Sequence, residues 1–501
     1  MLPSNLRLLQ GIRAVLDDVG REQPAAQKQL ASIGVAVNEL MLRENREFFR
    51  AHYSGGRKLA DRGARLTGDA VEPDLLTRLS ELSPTLASNL HIEAMADELD
   101  RLSEVLGHIV GALARDERRQ AAVDGFRVAV VDWDNALKAY HAGPAEAASE
   151  AVAASPSRFR AEAVTDYLRE RLPHWREDTT ASVKVLTGGF SKTTVMVEVQ
   201  PPAGDLSSLV IRAEPEVSLL FLDGAQVTNE YCVLKLAHAA GLPVPEPLWV
   251  ETDTAAFGAR FLVSRKAAGR NFGTAISVDE SISDSLLQDL MRNLARIHNL
   301  RVDPTDENVR RSHLATWSRH RTVTEATSAL VTLWRENTDR LQLPPSASRS
   351  LLFKWLADNV PRSQDPPCLI HCDYGLHNVL IDNDRVAGIL DWEGACISDP
   401  AEDFVWLADT LRGRASRAEL MSLYVAAGGR PIPEDRLEYF EIFRTLKYAV
   451  VCPTSMQLFE RHRSVHLAAC QLGLVYPFFG SRDLNQHLAA ADQALRAANR
   501  Q

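Results

Sequence analysis

The chain has 501 residues, 45% of them hydrophobic and 24% charged, with a formal net charge of −10. That length exceeds what a single hydrophobic core usually serves, so two or three domains are expected. An acidic chain without a basic stripe argues against a nucleic-acid partner, and no uncharged apolar run approaches the ~20 residues that span a bilayer.

The first residues, MLPSNLRLLQGIRAVLDD, are charged throughout and lack the apolar centre of a signal peptide. From Asn5 to about Tyr140 apolar residues recur at three and four, as in Leu8, Leu9, Ile12, Val15 and Leu16, and again in Leu99, Leu102, Val105, Leu106 and Ile109. This is helical texture, with Asn5 as a plausible N-cap and Ser54-Gly55-Gly56 expected to interrupt it. The Ala/Ser-rich HAGPAEAASEAVAASPSRF then reads as a linker. Ala161 to Leu172 reads as a helix closed by Pro173, and after it the texture becomes β-type alternation at Ala181–Leu186, Thr193–Val199 and Leu209–Ala213. Helical texture returns from Ser283 to Ile297 and beyond Pro400. Strands followed by helices indicate an α+β arrangement, preceded by an all-α segment. The cysteines (Cys232, Cys368, Cys372, Cys396, Cys452, Cys470) form no C-x-x-C pair and read as reduced core thiols of a cytoplasmic protein.

The chemistry concentrates in LIHCDYGLHNVLIDNDRVAGILDWEG. Asp373, Asn378 and Asp391 have the spacing of an H-x-D-x-x-x-x-N loop followed by a metal-binding aspartate. Phosphoryl transfer needs a phosphate cradle, positive charge, a divalent metal and a carboxylate beside the incoming hydroxyl. Asp373 would accept or orient the hydroxyl proton, while Asn378 and Asp391 offer hard oxygen ligands to Mg²⁺. Upstream, LTGGFSKTTVMVEV is strand, glycine turn, strand, so Gly188, Gly189 and Ser191 could set backbone N–H groups against phosphates. Arg212 ends a strand where a cation could reach those phosphates, and Glu230 in VTNEYCVLKLAHAA could hold it. His371 reads as a backbone anchor, Asp399 as a cap ahead of Pro400, and Asp403 as a brace for the loop. Glu393 reads equally as support for the metal or as a solvated acid.

These segments, with GLPVPEPLWVE, FLVSRKAAG, LARIHNL and ILDWEGACISDPAEDF in the same order, resemble the aminoglycoside phosphotransferase and choline kinase family. The resemblance covers roughly 159–479 and is nearest in character to the branch fused to acyl-CoA dehydrogenases. It implies a two-lobed protein-kinase-like fold with ATP and Mg²⁺ in the cleft, and backbone groups of Arg265 and Ala267 as purine contacts. Two departures stand out: Cys372 replaces the usual glycine of H-G-D, and Arg212 replaces the usual strand lysine.

The expected organisation is a helical domain at 1–141, a linker at 142–157, an N-lobe at 158–265 and a C-lobe with a helical C-terminal part at 266–501. The expected function is ATP- and Mg-dependent phosphorylation of a hydroxyl on a small molecule, such as a hydroxyacyl-CoA or hydroxy acid. An aminoglycoside-type or amino-alcohol kinase is the alternative within the class. A non-catalytic nucleotide-binding scaffold is the alternative outside it. The helical domain would serve dimerisation or partner docking, with no membrane or nucleic acid involved.

Overall fold

The computed structural model describes residues 46–67, 73–83, 92–113, 120–142, 158–172, 174–186, 192–214, 226–271, 282–343, 345–460 and 484–498. Asn5, the Leu8–Leu16 stripe, the stretch 143–157 expected as a linker, and Gly188, Gly189 and Ser191 lie outside them. The chain divides into two compact units, one comprising 1–152, 334–359 and 441–501, the other 153–333 and 360–440.

In the described residues the first unit is helical: α1 (Arg46–Thr67), α2 (Pro73–Glu81), α3 (Ile92–Leu113), α4 (Gln120–Ala142), and helices Ala347–Asp358 and Leu484–Ala498 from far along the chain. The stripe Leu99, Leu102, Val105, Leu106 and Ile109 is buried, as its period predicts. Polar anchors hold the distant segments. Asp134 of α4 accepts from Ser346 and Ser348 at the start of helix Ala347–Asp358. Asp492 accepts from Arg127 at 2.9 Å and from the Trp355 indole at 2.8 Å. The N-terminal helices therefore share one core with segments more than two hundred residues later, which an N-terminal boundary read from sequence does not anticipate.

Ser54-Gly55-Gly56 does not interrupt the helix; α1 runs through it. The glycines there and at Gly63 serve close packing. A Cβ on Gly56 would meet the Trp133 ring at 2.6 Å and Leu102 at 2.8 Å, and one on Gly63 would meet Ile109 and Phe126 at 2.5 Å. Gly56→Ala gains helix propensity but overfills this contact. It is expected to lower stability by about 1–3 kcal/mol, and a denaturant titration showing an unchanged or higher midpoint would refute that packing role.

The second unit opens with α5 (Ala161–Arg171) and strands β1 (Thr180–Leu186), β2 (Thr193–Ala203) and β3 (Leu206–Ala213), then α6 (Val227–Ala239), β4 (Pro247–Glu251) and β5 (Phe261–Arg265). The five strands form an antiparallel sheet in the order β1-β2-β3-β5-β4. Alternation fixes its faces. Val195, Val197, Val199, Leu209 and Ile211 pack with Val164 and Leu168 of α5 in one core. The register pairs Thr194 with Arg212, Met196 with Val210 and Glu198 with Ser208, which places Arg212 on the opposite face.

The chain then makes β6 (Arg270–Asn271), α7 (Asp284–His298), β7 (Cys368–Ile370), β8 (Val379–Asp382), β9 (Arg385–Ile389), β10 (Cys396–Ser398) and α8 (Ala401–Thr410). β6, β8 and β9 form one small sheet, and β7 pairs with β10. Gly269, at φ +96°, brings the chain from β5 so close that a Cβ would meet the Ile381 carbonyl oxygen at 2.9 Å. Only glycine allows that approach. Mixed helix and sheet with a helical segment ahead of them agrees with the expected class. Among the described residues no helix is long and apolar enough to cross a membrane.

Candidate active site

A hairpin and a strapped loop set the acidic side of the site. In the hairpin Val379 pairs with Ile389, and Leu390 N–H donates to the Asn378 carbonyl at 2.8 Å, so Asn378 and Asp391 lie at the same hairpin end. Asn378 Nδ2 donates to Asp373 Oδ2 at 2.8 Å and to its carbonyl at 3.1 Å, which turns the amide oxygen away as a remaining ligand. His377 Nε2 donates to the other oxygen, Asp373 Oδ1, at 3.1 Å. The Asp373 side chain keeps 38% exposure, so a carboxylate fixed from two sides still faces solvent.

Asp403 of α8 is fully buried and accepts the backbone N–H groups of His371 and Cys372, each at 2.7 Å. His298 Nε2 donates to the same carboxylate at 3.3 Å, and its Nδ1 sits 2.7 Å from the Tyr424 hydroxyl. Burial acts to raise the Asp403 carboxyl, but the His298 hydrogen bond and the nearby imidazoles hold it below the usual range. His371 Nε2 donates to the Leu390 carbonyl at 2.8 Å, tying the Asp373 loop to the residue before Asp391. The braces read for Asp403 and His371 are thus in place. Cys372, standing where the resemblance expects a glycine, adopts φ +67°, a conformation glycine takes without cost. Asp399 accepts from Ala401 N–H at 2.9 Å, and Arg436 also grips its buried carboxylate, with both contacts at 2.7 Å.

The sheet supplies the basic side. Arg212 Nη2 donates to Asp391 Oδ1 at 2.7 Å, and its Nε lies 3.3 Å from Glu230 Oε1 of α6. Burial acts to raise Asp391, yet Arg212 and then Lys192 outweigh it and keep its carboxyl below the usual carboxylate range. Lys192, one residue ahead of β2, is buried against Glu393 and lies 3.3 Å from Glu230 Oε2. Burial, and after it the charge of Asp391, pushes Glu393 up to about 7. The residue pairing expected of Arg212 with Glu230 is present, though Arg212 is closer to Asp391.

The face carrying Arg212 also lines a cavity of ≈ 300 Å³ walled by Lys184, Leu186, Met196, Glu198 and Lys266. Arg265, at the end of β5, directs its side chain to Glu246 and Asp205, each at 2.8 Å, and commits its N–H to the Glu246 carbonyl at 2.9 Å. Ala267 Cβ packs near Gly388, where a Cβ would meet it at 3.3 Å.

A magnesium nucleotide fits these residues. Asp391 and the Asn378 amide would offer two hard oxygens to the metal, and Arg212 would offer charge to phosphate. Among the described residues no group of three or more His, Cys, Asp or Glu could hold a metal ion. A sparse oxygen set completed by phosphates and water is what Mg²⁺ takes. Reading the sequence missed Lys192 and its link from Glu230 to Glu393. A lysine directly behind the glycine turn was the available signal.

Residues 182–440, more than half of the chain, match the phosphotransferase enzyme family. Acyl-CoA dehydrogenase family member 11 of Gallus gallus is 28% identical over 254 residues, covering 50% of this chain and 31% of that protein. The chain thus spans about a third of the length of that curated relative. Protein YcbJ of Bacillus subtilis is 49% identical over 63 residues, 12% of this chain and 20% of its own length. The solved macrolide 2'-phosphotransferase MphH of Brachybacterium faecium aligns at a TM-score of 0.42 and 19% identity, covering 62% of this chain and 98% of its own.

Proposed function

The chain belongs to the phosphotransferase enzyme family, and from that premise we propose that it moves the terminal phosphoryl group of Mg·ATP onto a hydroxyl of a small acyl-type molecule. The observation that carries this is the Arg212–Asp391 contact at 2.7 Å, which brings a phosphate-binding cation of the sheet to the candidate metal carboxylate beside Asn378 and Asp373.

Asp373 is the catalytic carboxylate in this reading. Held by His377 and Asn378, it accepts the substrate hydroxyl's proton, or orients that hydroxyl, as the oxygen attacks phosphorus. Asn378 and Asp391 hold Mg²⁺, which when bound neutralises charge on the phosphates. Arg212 grips phosphate and Glu230 steadies Arg212. The segment with Gly188, Gly189 and Ser191 cradles phosphates, and backbone groups of Arg265 and Ala267 meet the base. The cell compartment in this reading is the cytoplasm, where ATP is supplied, and the helical unit serves dimerisation or partner docking.

An acyl-type acceptor, a hydroxyacyl-CoA or hydroxy acid, is favoured over a polycationic aminoglycoside or an amino alcohol. A polycation needs accessible carboxylates. Of the acids in the C-terminal helices, Asp403 braces the loop, Glu434 and Glu438 pair with Arg417, and Glu441 pairs with Arg444, while Glu419 and Asp435 lie outside any ion pair among the described residues. The curated relatives bearing an acyl-CoA dehydrogenase name point the same way. A non-catalytic scaffold is disfavoured by a complete set of Asp373, Asn378 and Asp391. The test is ATP consumption against a panel of hydroxyacyl-CoAs, hydroxy acids, amino alcohols and aminoglycosides. Turnover confined to aminoglycosides, or none above an Asp373→Asn control, would reject the acyl reading.

Arg212→Ala is expected to raise the KM for ATP about ten- to a hundredfold and to lower kcat, because phosphates lose a bidentate partner. Arg212→Lys should recover part of both, returning charge without the fork. Unchanged kinetics in Arg212→Ala would assign phosphate binding to another cation.

A further inference from the structure

Charge in the cleft is uneven. Three carboxylates, Glu230, Asp391 and Glu393, face two cations, Lys192 and Arg212. The close pairs are Arg212 with Asp391 and Lys192 with Glu393. Glu230, only 1% exposed, lies between the cations at 3.3 Å from each. Its Oε2 and Arg212 Nε are both buried without a hydrogen bond. Arg212 is thus turned toward the carboxylate assigned to the metal, while Glu230 has only loose electrostatic contact.

This arrangement poses a difficulty that Lys192 resolves. Asp391 cannot serve a metal ion fully while it remains the close partner of Arg212. For Arg212 to turn to phosphate, it must leave Asp391 and loosen from Glu230. A buried carboxylate stripped of its cation is strongly unfavourable. Without a second cation, Glu230 would hold Arg212 back. Lys192 is raised above its ordinary pKa because Glu230 and Glu393 outweigh the effect of burial, so it remains a cation there. Its side chain is 2% exposed, so it is enclosed by the acids and not presented to a ligand.

We propose that Lys192 is a positioning residue of the nucleotide site. It provides standing counter-charge to Glu230 and Glu393, which frees Arg212 to exchange Asp391 for the phosphates of a nucleoside triphosphate. The proposal rests on the phosphotransferase reading above and adds to it a residue outside the expected set.

The test measures binding of metal-free ATP and Mg·ATP to the full chain by calorimetry, alongside steady-state kinetics. Lys192→Met is expected to weaken metal-free ATP binding and raise the KM for Mg·ATP by about tenfold, with kcat at saturation within about threefold of wild type. Lys192→Arg should return both to within about threefold of wild type. In an Arg212→Ala background Lys192→Met should add no further loss in binding, because the two act through one group. A general structural role would instead add its cost in both backgrounds. If Lys192→Met does not fold, the double variant Lys192→Met/Glu393→Gln removes the cation with its closest acid and carries the same expectations. Wild-type affinity in a folded Lys192→Met or double variant, or an additive loss with Arg212→Ala, overturns the proposal. Failure of the wild-type chain to bind ATP overturns the phosphotransferase reading itself and with it the role of Lys192.

Discussion

Asp391→Ala is expected to lower turnover by about a thousandfold while the protein stays folded. The reading assigns Asp391 to Mg²⁺, so its removal leaves charge on the phosphates without its neutralising ion. Folding should survive because the cleft already holds one carboxylate more than its two cations, and Arg212 keeps Glu230 at 3.3 Å. Asp391 sits at φ +63°, where alanine costs roughly 1–2 kcal/mol. Asp391→Asn tolerates that backbone better and retains an oxygen ligand, so it should lose less activity. Turnover at saturating Mg²⁺, read beside a thermal melt, decides the matter. Near-wild-type turnover in Asp391→Ala would remove Asp391 from the metal site.

Asp373→Asn should lower kcat by about a hundred- to ten-thousandfold, with the KM for ATP changing by less than about threefold. The variant keeps the shape of the side chain but offers one acceptor oxygen where His377 and Asn378 now donate to two. It also loses the capacity to take a proton. Because Asp373 makes no contact with Arg212 or Lys192, the phosphate side should be undisturbed. A large rise in the KM for ATP with kcat retained would mean that Asp373 supports the nucleotide and not the acceptor hydroxyl.

The parts of this molecule written in local pattern were legible. Alternation in Thr193–Val199 and Leu209–Ala213 marked strands whose faces follow from a period of two, and that period alone puts Arg212 opposite the α5 core. The spacing of Asp373, Asn378 and Asp391 marked a loop and a following aspartate, and the hairpin between Asn378 and Asp391 shows why they are neighbours. What depends on distant partners was not legible. Gly55 and Gly56 carry the same letters whether they break a helix or let Trp133 approach, and the choice is made by a side chain some eighty residues away. Lys192 and Glu393 are 201 residues apart, and nothing in either neighbourhood announces the other. The helix Ala347–Asp358 looks like any amphipathic segment of the later chain until Asp134 is found holding its start.

That last attachment has a consequence for the order in which the protein comes into being. Asp134 is made some two hundred residues before its partners Ser346 and Ser348, and Asp492, which Arg127 and Trp355 both reach, is made later still. Domains usually fold as they are made, N-terminal first. Helices α1, α3 and α4 can pack on one another around Gly56 and Gly63 once they are made, but these polar anchors wait for the later segments. The helical unit therefore closes only after residues 484–498 are made, and a nascent chain halted before residue 484 carries it incomplete.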